Sequence, residues 1–246
     1  MSCAIGVMAK APQAGRSKTR LCPPLEHAQA AAMSAAFLRD ITENIVLAGH
    51  HADIAGLIAY APAGGEHLFD GHLAEGTRLL LADGTPEMPA DVTGFGRCLL
   101  HAIQGMLAMG HDAACVLNSD SPTLPTSNLV RAAQALLAPG ERVVLGPAED
   151  GGYYLLGLKS AHVRMFADIA WSTETVADAT RARAAELGLH VVELPTWYDV
   201  DDRSSLGRLL HETRLGSGHA HYPAPATARA IAAMALDRLD LATAAE

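Results

Sequence analysis

Short runs of apolar residues alternate along this chain with longer segments in which apolar residues recur every three or four positions. The first pattern is typical of buried strands and the second of amphipathic helices. The short runs predict strands at residues 3–9, 54–59, 79–81, 113–117, 142–145, 153–156 and 189–194. The periodic segments predict helices at 25–48, 94–109, 126–137, 174–187, 204–210 and 226–241. This alternation indicates a mostly parallel sheet with helices on both faces.

The composition changes near the C-terminus, where residues 216–225 are rich in Gly, His and Pro. Such a segment is typical of a linker. We therefore expect one domain at residues 1–215 and a linker with a C-terminal helix at 216–246. That helix is apolar enough to pack on the domain or against a second copy of the chain, so a homodimer is one expectation.

Composition and charge narrow the function. The chain has 246 residues, 50% of them hydrophobic and 18% charged, with a formal net charge of −9. An acidic chain is a poor candidate for binding nucleic acid, so we expect none. The four cysteines form no C-x-x-C pair, which favours reduced thiols in a cytoplasmic protein. No signal-peptide pattern opens the sequence, and no apolar run approaches the length of a membrane span.

A basic segment follows the first predicted strand. Residues 10–20 contain Lys10, Arg16, Lys18 and Arg20 but no acid. In an acidic chain this concentration indicates an anion site, because cationic side chains bind phosphate and Gly15 lets the backbone approach it. The segment is not a P-loop, since Pro12 and Ser17 stand where glycines would be needed.

The segment Gly94-Phe95-Gly96-Arg97 opens a predicted helix. Gly94 and Gly96 leave room for a flat base or sugar, with Arg97 beside them as a phosphate ligand. A plain helix start is an equally good interpretation of the same residues. We therefore place these three residues among the candidate nucleotide-binding groups, with the alternative left open.

Acidic residues follow three of the later strands. Asp120 comes directly after the apolar run 113–117, Glu149 and Asp150 follow the next predicted strand, and Asp199 and Asp201 follow the last. The carboxyl ends of parallel strands meet at one edge of a sheet, which is where open α/β sheets bind ligands. Carboxylates there suit Mg²⁺ or Mn²⁺, which bridges protein oxygens to substrate phosphates.

Five motifs together resemble a bacterial family within the nucleotide-diphospho-sugar transferase superfamily. They are MAKAPQAGRSKTRL at 8–21, NSDSPTLP at 118–125, GPAEDGGYYLLGL at 146–158, WSTE at 171–174 and YDVDD at 198–202. The resemblance covers about residues 3–215. It implies a GT-A-type fold, a Rossmann-like three-layer α/β/α sandwich, similar to that of glycosyltransferases and nucleotidyltransferases. It also implies a nucleotide or nucleotide-sugar as substrate, a small-molecule acceptor, and Mg²⁺ or Mn²⁺ as cofactor.

The resemblance also implies roles for individual residues. Gly15, Arg16 and Lys18 match the phosphate-binding loop of the nucleotidyltransferases, with Arg16 and Lys18 assisting the chemistry. Asp120 matches a metal ligand, although Asn118 replaces the first acid of the D-x-D motif, and Asp201 matches the second ligand. Asp199 is a weaker metal candidate. The acceptor side is formed by Glu149, Asp150, Gly151, Gly152 and Tyr153, with Asp150 as a general base on an acceptor hydroxyl.

Three functions stay open at this point. The first is metal-dependent transfer of a sugar from a nucleotide-diphospho-sugar to an acceptor. The second is nucleotidyl transfer from a nucleoside triphosphate to a phosphorylated small molecule, with release of pyrophosphate, which the intact basic segment favours. The third is a nucleotide-binding module without turnover, for which Asn118 in place of an acid is the one supporting feature.

Overall fold

One seven-stranded sheet organises the protein. The computed structural model describes residues 1–215 and 221–236. The strands are β1 (Cys3–Ala9), β2 (Ile54–Tyr60), β3 (Arg78–Leu81), β4 (Ala113–Leu117), β5 (Arg142–Pro147), β6 (Tyr153–Leu158) and β7 (His190–Glu193). They lie in the order β3-β2-β1-β4-β6-β5-β7. All neighbouring pairs are parallel except those of β6, which runs antiparallel to β4 and β5.

Helices cover both faces of the sheet. They are α1 (His27–Ala48), α2 (Phe95–Ala108), α3 (Thr126–Leu137), α4 (Val176–Glu186), α5 (Arg203–Leu215) and α6 (Pro225–Ala233). Ile5 and Val7 of β1 pack on the side of α1, α3, α5 and α6, whereas Ala4 packs on the side of α2 and α4. Alternate strand residues thus enter two separate cores, because successive side chains point to opposite faces. The predicted α/β/α sandwich with a mostly parallel sheet is confirmed.

The helix bounds differ from the sequence prediction at several ends. Helix α1 begins at His27, two residues later than predicted, because Glu26 forms a capping box with Gln29 and leaves Leu25 buried just before the helix. Helix α5 continues past the predicted end at residue 210 to Leu215. The C-terminal helix begins at Pro225, a favoured first-turn residue. Part of its predicted span to 241 lies outside the described residues.

Helix α6 packs against α1. The Asp40 carboxylate in α1 accepts hydrogen bonds from the backbone N–H groups of Ala226 (2.8 Å) and Thr227 (2.7 Å), which are orphan donors at the start of α6. Ile231 is buried in the core on that side. The predicted boundary after residue 215 adjoins residues 216–220, which lie outside the described part of the chain, and the two-part division stays a prediction. No helix within 1–215 and 221–236 is long and apolar enough to cross a membrane.

Candidate active site

Two cavities lie side by side where β1, β2 and β4 end. The basic cavity, of about 370 Å³, is lined by the cations Lys10, Arg16, Lys18 and Arg20 together with residues from β1, β2 and α2. The acidic cavity, of about 540 Å³, is lined by Asp120, Asp150, Glu174, Asp199 and Asp201, with Arg20 as its cation. The two cavities share Arg20, Phe95, Asp120 and Asp201. A ligand that spans both would therefore pass Asp120 and Asp201.

The basic segment is folded as a turn around Ser17. The Ser17 hydroxyl donates to the Ala11 carbonyl at 3.0 Å and accepts from the Gln13 N–H at 3.0 Å. Gly15 takes a φ of 73° and Lys18 a φ of 51°, both in the left-handed region. A left-handed lysine is uncommon and is kept only when the surrounding contacts hold it there. The hydrogen bonds of Ser17 and the left-handed backbone at Lys18 place the Lys18 side chain at the edge of the sheet.

Lys18 joins the two predicted metal ligands. Its ammonium lies 2.6 Å from Asp120 Oδ1 and 2.9 Å from Asp201 Oδ1, and it donates to the Val200 carbonyl at 2.7 Å. Its side chain is only 8% exposed. Burial alone would lower the pKa of Lys18, but the charges of Asp120 and Asp201 outweigh it and raise the pKa above the usual value. The lysine is therefore a fixed cation between two carboxylates.

Asp199 lies beside this cluster and is partly buried. Its Oδ1 accepts hydrogen bonds from Asn118 Nδ2 (2.6 Å) and from the Ser121 hydroxyl (2.9 Å). Burial and then the charge of Asp120 raise the pKa of Asp199 to about 7. Asn118 thus holds Asp199 in place, and this contact joins the strand end after β4 to the segment before α5.

The start of α2 forms the wall shared by the two cavities. Phe95 is 47% exposed and packs edge-on against Trp171, with ring centroids 6.3 Å apart. A Cβ at Gly96 would come within 2.7 Å of Trp171 Nε1, so only glycine lets the indole ring lie against this helix. Gly94 takes a φ of 53° at the N-cap. The glycines here serve aromatic packing.

A second contact between loops forms the acidic cavity. A Cβ at Gly151 would lie 2.0 Å from the Glu174 carbonyl oxygen, and Gly151 has a φ of 87°. The Gly151 carbonyl accepts from the Ala177 N–H at 3.0 Å. This close backbone approach requires glycine and places Asp150 and Glu174 on the walls of one cavity. The Asp150 carboxylate accepts from the Gly152 N–H at 2.8 Å, which fixes the turn.

The structure brings most of the predicted site residues to the cavity walls. Those that line neither of the two are Gly15, Gly94, Gly96, Arg97, Glu149 and Gly151. Arg97 instead donates to the carbonyls of Gly84 (2.9 Å) and Pro86 (2.8 Å) and so holds the irregular loop at 83–91. Glu149 lines a neighbouring groove and pairs with Arg208 at 2.9 Å. The roles assigned to these residues stay predictions.

Three residues line the cavities but were not among the predicted site residues. Phe95 and Cys98 come from the start of α2, and Glu174 from the segment before α4. Phe95 lay between the two predicted glycines, and an apolar side chain at a polar helix start was the available signal. Cys98 had no local signal, and Glu174 belonged to the WSTE motif but was given no role, because the position of both depends on how α2 and the 171–177 segment pack.

The donor set suits a hard divalent cation. Among the described residues, no group of three or more His, Cys, Asp or Glu side chains is arranged to hold a metal. Asp120 and Asp201 nevertheless converge on one cation, the Lys18 ammonium, with oxygen distances of 2.6 and 2.9 Å. Two carboxylates that share one cation match the few protein ligands with which Mg²⁺ is held beside substrate phosphates. The residues present therefore fit the expected metal.

The fold is that of the nucleotide-diphospho-sugar transferases. A proposed nucleotide-diphospho-sugar transferase from Desulfovibrio desulfuricans G20 is 25% identical, with a TM-score of 0.77 over 98% of this chain and 100% of that one. A cytidylyltransferase from Leptospira borgpetersenii matches at 10% identity and a TM-score of 0.55, over 98% of both chains. A CMP:2-keto-3-deoxy-manno-octonic acid synthetase complexed with CTP matches at 12% identity and a TM-score of 0.52, over 85% of this chain and 97% of that one.

The sequence match defines the family. Residues 42–173 match a family described as "Uncharacterized protein conserved in bacteria (DUF2064)". The chain belongs to this family, and the suspected superfamily is confirmed. No curated protein matches the sequence. The neighbour at 25% identity is a proposed nucleotide-diphospho-sugar transferase, which supports a transferase here, and the two more distant neighbours show the fold alone.

Proposed function

We propose that this protein transfers the sugar of a nucleotide-diphospho-sugar to a small-molecule acceptor. The observation that carries the proposal is the pair of cavities of opposite charge that meet at Asp120 and Asp201. A diphosphate suits the basic cavity, where Lys10, Arg16 and Lys18 supply its counter-charge. The sugar would then lie past Asp120, beside the acidic cavity, where an acceptor can reach it.

Each group has a role in this scheme. Arg16 and Lys18 stabilise the negative charge that builds on the leaving diphosphate. Asp120 and Asp201 would hold Mg²⁺ or Mn²⁺, and the metal would neutralise further phosphate charge. Asp150, on the far wall of the acidic cavity, accepts the proton of the acceptor hydroxyl. Phe95, exposed between the cavities, offers an aromatic face to a base or a sugar ring.

A second candidate is nucleotidyl transfer from a nucleoside triphosphate. Four cations line the basic cavity, which is enough to hold a third phosphate. The CTP complex of a protein with the same fold supports the same alternative. The two candidates differ in products, because sugar transfer releases a nucleoside diphosphate and nucleotidyl transfer releases pyrophosphate.

Thermal unfolding in the presence of ligands tests the proposal. The purified protein is heated with nucleoside triphosphates or with nucleotide-diphospho-sugars, each with and without Mn²⁺. A ligand at about 100 times its Kd adds roughly 2.7 kcal/mol, a shift on the order of 5–10 °C for a chain of this size. A metal-dependent shift with one nucleotide-diphospho-sugar supports sugar transfer. A shift with triphosphates alone favours the second candidate, and no shift with either class contradicts both.

A further inference from the structure

The acidic cavity has a charge pattern that selects the acceptor. Its wall carries the carboxylates of Asp120, Asp150, Glu174, Asp199 and Asp201, against the single guanidinium of Arg20. The Arg20 side chain is 81% exposed and 4.0 Å from Asp201, so it faces solvent as well as an acid. Asp120 and Asp201 already share the charge of Lys18. Asp150 and Glu174 have no ion-pair partner within the described residues, and this side of the site is negative.

The neighbouring groove adds one cation, Arg208, to Arg20, which lines both spaces. It is lined by Glu149, Asp202 and Arg208, among others. The Arg208 guanidinium is 2.9 Å from Glu149 and 3.2 Å from Glu212, and it stacks on the Tyr198 ring at 3.7 Å. The charge of Arg208 is therefore paired with two carboxylates, and its planar face is covered by the Tyr198 ring. A phosphate or carboxylate on the acceptor would meet more acids than cations on both sides, with the exposed Arg20 as its basic partner among the described residues, and this net negative charge disfavours its binding.

The same cavity offers groups that suit hydroxyls and sugar rings. Tyr153 and Trp171 line it, and the Tyr153 hydroxyl and Trp171 Nε1 are buried without a hydrogen-bond partner in the part of the chain that the structure describes. Buried polar atoms normally have partners, so the Tyr153 hydroxyl points to a ligand or ordered water, whereas Trp171 Nε1 lies against Gly96 of α2. Ser172 and Thr173 add exposed hydroxyls. Aromatic faces beside carboxylates and hydroxyls favour a polyol.

We infer that the acceptor is a polyhydroxylated molecule that carries no phosphate or carboxylate group. This inference rests on the proposed sugar transfer. In the step, an acceptor hydroxyl oxygen bonds to the anomeric carbon of the donor, and the bond from that carbon to the phosphate oxygen breaks. The nucleoside diphosphate leaves with the bonding electron pair, and the hydroxyl proton passes to Asp150. An amino group on the acceptor is compatible with this cavity and is favoured by its charge.

Matched acceptors test the charge selection. The donor is the nucleotide-diphospho-sugar that raises the Tm in the thermal assay. The rate at which it releases nucleoside diphosphate is measured with sets of methyl glycosides of glucose, mannose and galactose as acceptors. Each set contains the neutral sugar, its 2-amino form and its 6-phosphate. We expect the neutral or amino member to stimulate release, with a kcat/KM on the order of tenfold or more above the 6-phosphate, because like charges repel across a few ångströms. The same experiment is repeated with Glu174→Gln and with Glu75→Gln.

Glu75 is a matched control, because it is exposed, precedes β3 at the opposite edge of the sheet and lines neither cavity. The selectivity is the ratio of kcat/KM for the neutral or amino sugar to kcat/KM for the 6-phosphate. Glu174→Gln should lower this ratio several-fold, and Glu75→Gln should leave it as in the wild type. Fastest release with a 6-phosphate, or no stimulation by any phosphate-free sugar, would overturn the inference while leaving donor binding intact. Absence of donor binding in the thermal assay would instead overturn the proposed function.

Discussion

Replacing Lys18 with methionine should turn the Asp120–Asp201 pair into a metal site that binds without nucleotide. Methionine keeps the length and apolar packing of the buried stem but removes the ammonium. In the wild type that ammonium makes contacts of 2.6, 2.9 and 2.7 Å with Asp120, Asp201 and the Val200 carbonyl. A divalent cation that approaches the two carboxylates must first displace it. In the variant, the carboxylates lose this shared counter-ion and keep only the exposed Arg20, 4.0 Å from Asp201, among the described cations that pair with them.

The size of the effect follows from burial. Breaking a buried ion pair costs about 3–5 kcal/mol. The side chains of Asp120 and Asp201 are 30% and 40% exposed, so water still reaches them. We therefore expect a loss of about 2 kcal/mol, since exposed charges are worth less than buried ones. For a chain of this length, that loss lowers the Tm by about 4–8 °C.

Thermal unfolding with and without Mn²⁺ measures this effect. We expect Mn²⁺ alone to restore most of the lost Tm in Lys18→Met and to change the wild type little unless nucleotide is present. Lys10→Met is the matched control, because Lys10 lines the same cavity but makes no ion pair within residues 1–215 and 221–236. A Lys18→Met protein that responds to Mn²⁺ no more than the wild type would refute the shared cation site.

Other substitutions test separate parts of the account. Asp120→Asn should lower the rate of transfer by about 100-fold or more, as a lost electrostatic contact to the reacting group does, and turnover equal to the wild type would exclude its role. Gly96→Val should lower the free energy of unfolding by about 1–3 kcal/mol in urea titrations, because a Cβ meets the Trp171 ring at 2.7 Å; an unchanged midpoint would mean that the ring moves freely. Burial raises the pKa of Asp40, so the folded chain binds this proton more tightly than the unfolded chain and loses stability as the carboxyl ionises. The stability of Asp40→Asn relative to wild type should therefore rise as the pH increases above about 4, where the carboxyl of the unfolded chain ionises, and a falling difference would contradict that direction.

Much of the fold was predictable because its signals are local. The apolar run of β4 is buried at every residue, and the strand ends where the sequence turns polar at Asn118. The 126–137 helix has the predicted bounds. The reversed direction of β6 was not predictable in the same way. It follows from the tight turn between Pro147 and Tyr153, and a short strand looks alike in either direction.

The candidate site was predictable only in part. Asp120, Asp201 and Lys18 could be proposed because strand ends meet at one edge, and the structure places all three in contact. That Lys18 would bridge the acids, instead of facing open solvent, depends on a contact with Asp201, which is 183 positions away in the sequence. The approach of Gly151 to Glu174 is likewise a tertiary contact. No sequence pattern reports such contacts.

The products of the reaction test the central claim most directly. The wild-type protein is incubated with Mn²⁺ and either a nucleotide-diphospho-sugar with an acceptor sugar or a nucleoside triphosphate with a sugar phosphate, and the products are identified by mass spectrometry. We predict a nucleoside diphosphate and an acceptor heavier by one sugar residue, with both absent in Asp120→Asn. Pyrophosphate and a nucleotide-linked acceptor, formed only from the triphosphate, would contradict sugar transfer and establish the nucleotidyl alternative.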